Sequence, residues 1–217
     1  IDYINSMIDD FPVKLGPNDT KQTPASEDLF AEGSSEKLPK KLAEDYHTFV
    51  AKGLFACKRT RPDIHTAIAI LCTRVKAPNQ DDWRKLTDLM RYLNGTRNDK
   101  LILSADNLHI IKWWVDAAFA VHPGFKSHTG AGMTLGKGII QSQSRKQKLN
   151  TKSSTEAELV GVDDVSTMIL WTKLFMEAQG YEIKKNILYQ DFVPRQQEYH
   201  SFREQWQEKF EQADQSN

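Results

Sequence analysis

Apolar residues recur every three or four positions between Leu38 and Gly95 and closer to every second position beyond, so the chain predicts helices first and a sheet second. Over about 40–57, Leu42, Tyr46, Phe49, Val50, Leu54 and Cys57 share one helical face. Pro62 opens a second helix, because a first-turn proline forfeits no intrahelical bond. Ile64, Ala67, Ile68, Leu71, Cys72 and Val75 form its stripe. A third helix starts after Pro78, with Asn79 as N-cap and Asp81 and Asp82 at its positive end. Trp83, Leu86, Leu89, Met90 and Leu93 make its apolar side, and Gly95 stops it. Residues 1–37 hold one short helical segment, IDYINSMIDDFP, and then a mixture of Pro, Ser, Gly and charge that predicts extended linker with no core of its own.

Past Gly95, LILS (101–104), a turn at 105–107 and LHIIKWWVD predict a β-hairpin whose second strand closes at Asp116. GAGMTLG (130–136) and GIIQSQS (138–144) predict a second strand pair turning at Gly136-Lys137-Gly138. A long helix, about 155–179, carries Leu159, Val162, Val165, Ile169, Leu170, Leu174, Phe175 and Ala178 and stops at Gly180. A strand at about 184–190 follows. A strand–helix–strand crossover added to antiparallel strands implies a mixed sheet, β-β-β-α-β. Residues 192–217 are rich in Gln and Glu, with Phe202, Trp206 and Phe210 four apart, which predicts a peripheral amphipathic helix.

Composition narrows this picture only slightly. Lys and Arg number 29 against 29 Asp and Glu, so any basic surface for nucleic acid is local. Cys57 and Cys72 sit in apolar helical patterns with no metal-ligand spacing and read as buried thiols of a reducing compartment. No apolar run reaches the roughly 18 residues of a membrane span, and no membrane partner is expected. The first residue is Ile rather than Met, which reads as a piece of something longer.

Three carboxylates give the sheet region its chemistry. Asp116 and Asp191 follow apolar strands, and Glu158 lies in the first turn of the helix between them. Phosphodiester hydrolysis by two divalent ions needs acidic oxygens held around metals about 3.5–4 Å apart, and Mg²⁺ takes few protein carboxylates. Each residue also has a plain structural reading. Asp116 can simply end a strand, Glu158 can be the capping-box partner of Thr155, and Asp191 can open a loop. Asp163 and Asp164 read as exposed charges. His122 and His128 read as structural, with a proton shuttle as the second option. Lys137, Arg145, Lys146, Lys148 and Lys152 form a basic segment able to contact phosphates. His47, Lys52 and KRTR (58–61) give the helical part its own cationic edge.

Six ordered blocks resemble one family. YHTFVAKGLFACKRTRPDI and the W-x-x-L-x-x-x-x-R-Y-L-x-G-T run from Trp83 to Thr96 resemble the stretch beyond the polymerase palm in copia-type LTR retrotransposon Pol proteins. WWVDAAFA, KSHTGAGMTLGKGIIQSQSRKQK, SSTEAEL and ILYQD resemble the retroelement RNase H blocks. The resemblance covers roughly 40–191 and implies an α/β fold: a small helical unit followed by a truncated RNase H-like mixed β-sheet. It divides the chain into a linker or palm-proximal remnant (1–37), a reverse transcriptase thumb- or connection-like region (38–98), a C-terminally incomplete RNase H-like domain (99–191) and a divergent polar tail (192–217).

It further implies that Asp116, Glu158 and Asp191 hold Mg²⁺, or Mn²⁺ in its place, and cleave the RNA strand of an RNA–DNA hybrid. The remainder of a Pol polyprotein is an implied partner. An intracellular, cytoplasmic setting is implied too, with a virus-like particle or the nucleus as alternatives. Two departures stand out. No Tyr-x-Asp-Asp turn is present, so DNA synthesis is not expected, and Asp191 is followed by Phe-Val-Pro instead of the family's Asn-x-Ser-Ala. A catalytically inactive remnant that at most binds nucleic acid is the alternative expectation.

Overall fold

The computed structural model describes residues 2–190. Helix α1 (Asp2–Asp9) is followed by a long irregular stretch, then α2 (Lys40–Cys57), a 3-10 turn (Pro62–Ile64), α3 (His65–Arg74) and α4 (Gln80–Gly95). The three helices expected after Leu38 are therefore present. Asn79 caps α4 through a reciprocal box with Asp82: the Asn79 side chain accepts from the Asp82 N–H at 2.9 Å, and Asp82 accepts from the Asn79 N–H at 3.0 Å.

Residues 2–37 differ from the linker expected of them. Ile4, Met7, Ile8, Phe11 and Leu29 are buried in the same core as Tyr46, Phe49, Ile68, Leu71, Leu89 and Met90. Phe11 stacks on Trp83 with ring centroids 5.4 Å apart and meets Phe49 edge-on at 4.9 Å. A few large apolar side chains, widely spaced, suffice to fold an otherwise polar segment onto a helical unit. Each one fully buried contributes about 1.5–3 kcal/mol.

The sheet region contains β1 (Ser104–Ala105), β2 (Ile110–His122), β3 (Lys126–Thr134), β4 (Gly136–Lys137), β5 (Gln141–Lys146), α5 (Ser154–Ala178) and β6 (Lys185–Gln190). Four strands form one sheet in the order β5-β3-β2-β6, with β6 parallel to β2 and the other pairs antiparallel. The expected mixed β-β-β-α-β sheet is what forms. The hairpin expected between LILS and β2 does not: β1 pairs with β4 in a separate two-stranded ribbon. The partner of β2 is β3, reached through a tight turn with Gly124 and Phe125 both at positive φ.

On β2, Ile111, Trp113 and Val115 are buried while Trp114 and Asp116 are exposed. The buried side packs under α5, where Val162, Val165 and Ile169 complete a second core. Gly161 lets the helix approach closely: a Cβ there would lie 3.5 Å from Ala117 Cβ and 3.6 Å from Val115 Cγ1. The opposite face of the sheet is touched by the helical unit, chiefly where α3 meets β5.

Candidate active site

Asp116 does not end its strand. It sits within β2, paired with Gly130 of β3, and β2 runs on to His122 through an irregularity after Ala118. The small residues Ala117 and Ala118 allow the strand to continue where a polar terminator was expected.

Glu158 is not the capping residue of α5. That role falls one turn earlier: Ser153 is the N-cap and accepts from the Glu156 N–H at 3.1 Å, while Glu156 accepts from the Lys152 N–H at 2.6 Å. Glu158 is thereby left to face the sheet. Its Oε1 accepts from the Ala117 N–H at 3.2 Å, and Oε2 accepts from Gln190 Nε2 at 3.0 Å. Gln190 Nε2 also donates to the Glu158 carbonyl at 2.8 Å. One amide side chain thus ties the end of β6 to the start of α5, and one peptide N–H ties the same carboxylate to β2.

Burial holds the Glu158 carboxyl above the ordinary glutamate range. The hydrogen bonds from Gln190 and Ala117 pull it down, and the neighbouring Asp116 carboxyl adds to the rise. Two acids whose charges oppose one another, one of them partly desolvated, form a local concentration of negative charge that a divalent cation offsets. Asp116 opens onto a cleft of about 550 Å³, walled by Trp114, Tyr189 and Gln190 and floored by Gly130 and Gly132.

Asp191 lies outside the described residues, as do Phe202, Trp206 and Phe210. Among the described residues no group of three or more His, Cys, Asp and Glu is arranged to hold a metal ion. Gln190, the residue before Asp191, pairs with Val115, the residue before Asp116.

The basic residues divide. Lys146 pairs with His128, and His128 with Ala118, which puts all three on the sheet face that Asp116 shares. Arg145 takes the other face and is bound to Asp164 of α5 at 2.7 Å. Lys137 is in the β1–β4 ribbon. Lys148 and Lys152 are exposed in the connection to α5, with the Lys148 carbonyl accepting from Lys126 Nζ. Asp164, read as a free surface charge, also accepts from Thr129 Oγ1 at 2.9 Å.

Two supports were not visible in the sequence. Gln190 carries no motif signal beyond standing next to Asp191. Gln147, fully buried, donates to Thr129 Oγ1 at 3.0 Å and to the Ala157 carbonyl at 2.8 Å, fixing the first turn of α5 against β3.

No family model matches the chain. It is 31% identical over 160 residues, 73% of its length, to the retrovirus-related Pol polyprotein from transposon TNT 1-94 of Nicotiana tabacum. It is likewise 31% identical over 125 residues, 57% of its length, to the retrovirus-related Pol polyprotein from transposon RE2 of Arabidopsis thaliana. The chain belongs to the copia-type, retrovirus-related Pol polyproteins. This Pol segment spans 12% of the tobacco polyprotein and 9% of the Arabidopsis one. Among solved structures, a foamy viral protease-reverse transcriptase in complex with double-stranded DNA aligns with 85% of the chain and 32% of its own, at a TM-score of 0.42 and 12% identity. The fold of the Pol segment is α/β, a helical unit followed by a four-stranded mixed sheet.

Proposed function

We propose that this Pol segment carries the metal-binding acids of a ribonuclease H-type hydrolase acting on the RNA strand of an RNA–DNA hybrid. The observation that carries the reading is the placement of Glu158: excluded from the helix cap, it is held beside Asp116 by Ala117 and Gln190. In a Pol protein, a strand aspartate and a helix glutamate brought together across a crossover fit the chemistry of divalent-metal phosphoryl hydrolysis.

Asp116 and Glu158 would hold Mg²⁺, or Mn²⁺, with Asp191 as a third carboxylate by family resemblance. The ion would supply charge neutralisation at the scissile phosphate and a more acidic water. The chain's own residues do the rest. Gln190 and the Ala117 N–H fix the rotamer of Glu158, so the pair is preorganised before substrate arrives. Lys146, on the face of Asp116 and two strands away, is placed for a phosphate of the bound strand. The divisions at residues 98 and 191 belong to the same proposal, with 38–98 as the reverse transcriptase thumb- or connection-like part and the stretch before it as a palm-proximal remnant packed on that part.

Incubation of the 217-residue chain with a labelled RNA–DNA hybrid in Mg²⁺ tests the reading. Cleavage of the RNA strand that disappears in Asp116→Asn and Glu158→Gln is expected. Cleavage surviving both substitutions, or none in the wild type despite salt-dependent hybrid binding, overturns it; the second outcome identifies an inactive binder.

A further inference from the structure

The open face of the sheet carries a second hollow that the carboxylates do not use. It adjoins the Asp116 cleft, shares Trp114, Gly130 and Gly132 with it, and runs from the sheet to the start of α3. Its volume is about 440 Å³, enough for a small planar ligand. Trp114 is 46% exposed, an unusual cost for an indole in the middle of a strand. Tyr189 stacks on it from β6, with centroids 5.0 Å apart and planes 19° from parallel, and so fixes the indole upright on the sheet.

Beside Trp114, the β3 positions on the same face are glycines. Gly132 is the register partner of Trp114 and Gly130 that of Asp116, so neither fills the space next to the ring. Gly130 leaves open space, while the Ile139 side chain lies over Gly132, where a Cβ would come within 3.1 Å of Ile139 Cδ1, and bounds the slot opposite the indole. The far wall is polar. His65, 5% exposed, bonds Ser142 Oγ through Nδ1 at 2.8 Å. Thr66 stands next to it, its Oγ1 at 3.2 Å from Ser144 Oγ. Burial drives the His65 pKa down to about 4, so the imidazole is neutral and offers an uncharged edge at neutral pH.

An upright aromatic ring, a floor of glycine backbone bounded by the apolar Ile139 side chain and a neutral hydrogen-bonding wall suit one ligand class. A nucleobase has a π-face to stack and an uncharged donor–acceptor edge, and bases of single strands stack on aromatic side chains whatever their sequence. A paired base in a duplex exposes no such face. We propose that the slot beside Trp114 seats an unpaired nucleobase of a single-stranded nucleic acid, next to the cleft of Asp116. The proposal deepens the nucleic-acid reading of that cleft and uses residues from both the helical unit and the sheet.

The test measures binding of a fluorescently labelled oligothymidylate, about a dozen nucleotides long, to the full chain in EDTA, where no cleavage takes place. Trp114→Ala is expected to weaken binding by roughly 5- to 100-fold, the effect of one lost stacking contact. Trp114→Phe, which keeps a ring, should stay within about threefold of wild type. Gly132→Val, which fills the floor and leaves Trp114 in place, should weaken binding as the alanine variant does. The slope of log affinity against log salt should stay unchanged in all three, because no phosphate contact is removed. Binding is read in EDTA, without turnover, so its outcome is independent of the hydrolase reading. Each variant is first required to show the wild-type cooperative thermal transition. Wild-type affinity in both Trp114→Ala and Gly132→Val, or a loss accompanied by a shallower salt slope, overturns the proposal.

Discussion

Acidification should loosen the joint between the helical unit and the sheet, well above the pH at which most carboxylates titrate. Three histidines meet there. His122 Nε2 lies 2.9 Å from His128 Nδ1, His128 Nε2 lies 2.7 Å from Ser144 Oγ, and His65 Nδ1 lies 2.8 Å from Ser142 Oγ. The Phe30 ring packs edge-on against both His122 and His128. Burial lowers the pKa of His65 and of His128 to about 4 from an ordinary 6.5, helped by Lys58 in the first case and by the other two histidines in the second. His122 is lowered in the same direction by burial and by Lys146.

The folded state therefore keeps these rings neutral while the unfolded chain protonates them. Stability is fully present above about 6.5 and falls as the pH drops towards about 4. That difference corresponds to about 3 kcal/mol per ring once the pH is below both values, and to about 2 kcal/mol per ring at pH 5. His65 and His128 together thus remove about 4 kcal/mol between pH 7.5 and pH 5, a large part of the roughly 5–15 kcal/mol that holds a domain folded. Glu158, whose carboxyl is raised, takes up a proton in the fold first and works slightly against this loss. Urea denaturation at pH 7.5, 6 and 5 measures it. The double variant His65→Asn, His128→Asn should flatten the dependence across this window. A double variant with the wild-type slope would refute the assignment to these rings.

Other expectations follow from single contacts. Arg61 is 5% exposed and binds Asp63 at 2.7 Å and both the carbonyl and the hydroxyl of Thr96, so Arg61→Ala should cost about 1–3 kcal/mol in chemical denaturation. Ser153→Ala should cost about 1 kcal/mol through the lost cap of α5, and Thr155→Ala much less, as read by thermal melting. Arg145→Ala removes a half-exposed guanidinium from its ion pair with Asp164 and should cost under about 1 kcal/mol. In hybrid-binding titrations Lys146→Ala should reduce the salt slope by about one, whereas Arg145→Ala should leave it nearly unchanged because Asp164 already occupies that guanidinium.

The helices were legible because each keeps an unbroken stripe and an N- or C-terminal signal, as at Asn79. Residues 2–37 were only partly legible: Ile4, Met7, Ile8 and Phe11 keep a helical spacing, but Leu29 stands alone among polar residues, and the burial of the whole stretch depends on the shape of the helical unit it covers. The strand through Asp116 was cut short in the sequence reading because an aspartate after WWV looks like an ending, whereas pairing with Gly130 carries it on. The first hairpin failed for a related reason: local alternation cannot tell which strand a run will pair with, and LILS lost β2 to a partner further along the chain. At the candidate site, T-E-A-E offers two glutamates for one cap, and only the position of Ser153 decides that Glu156 takes it. Gln190 was invisible because its partners are a backbone carbonyl and a carboxylate 32 residues away.

The pairing of β6 with β2 also sets an order of events in folding. β2 and β3 adjoin in the chain and can zip together early, whereas Ile110 and Lys185 must meet across the whole crossover, with the entropy of closing a long loop. Gln190 reaches Glu158 only once β6 has docked. The carboxylate pair should therefore be among the last features to form during refolding, and a chain arrested before that step would hold a nearly complete sheet with an unanchored glutamate.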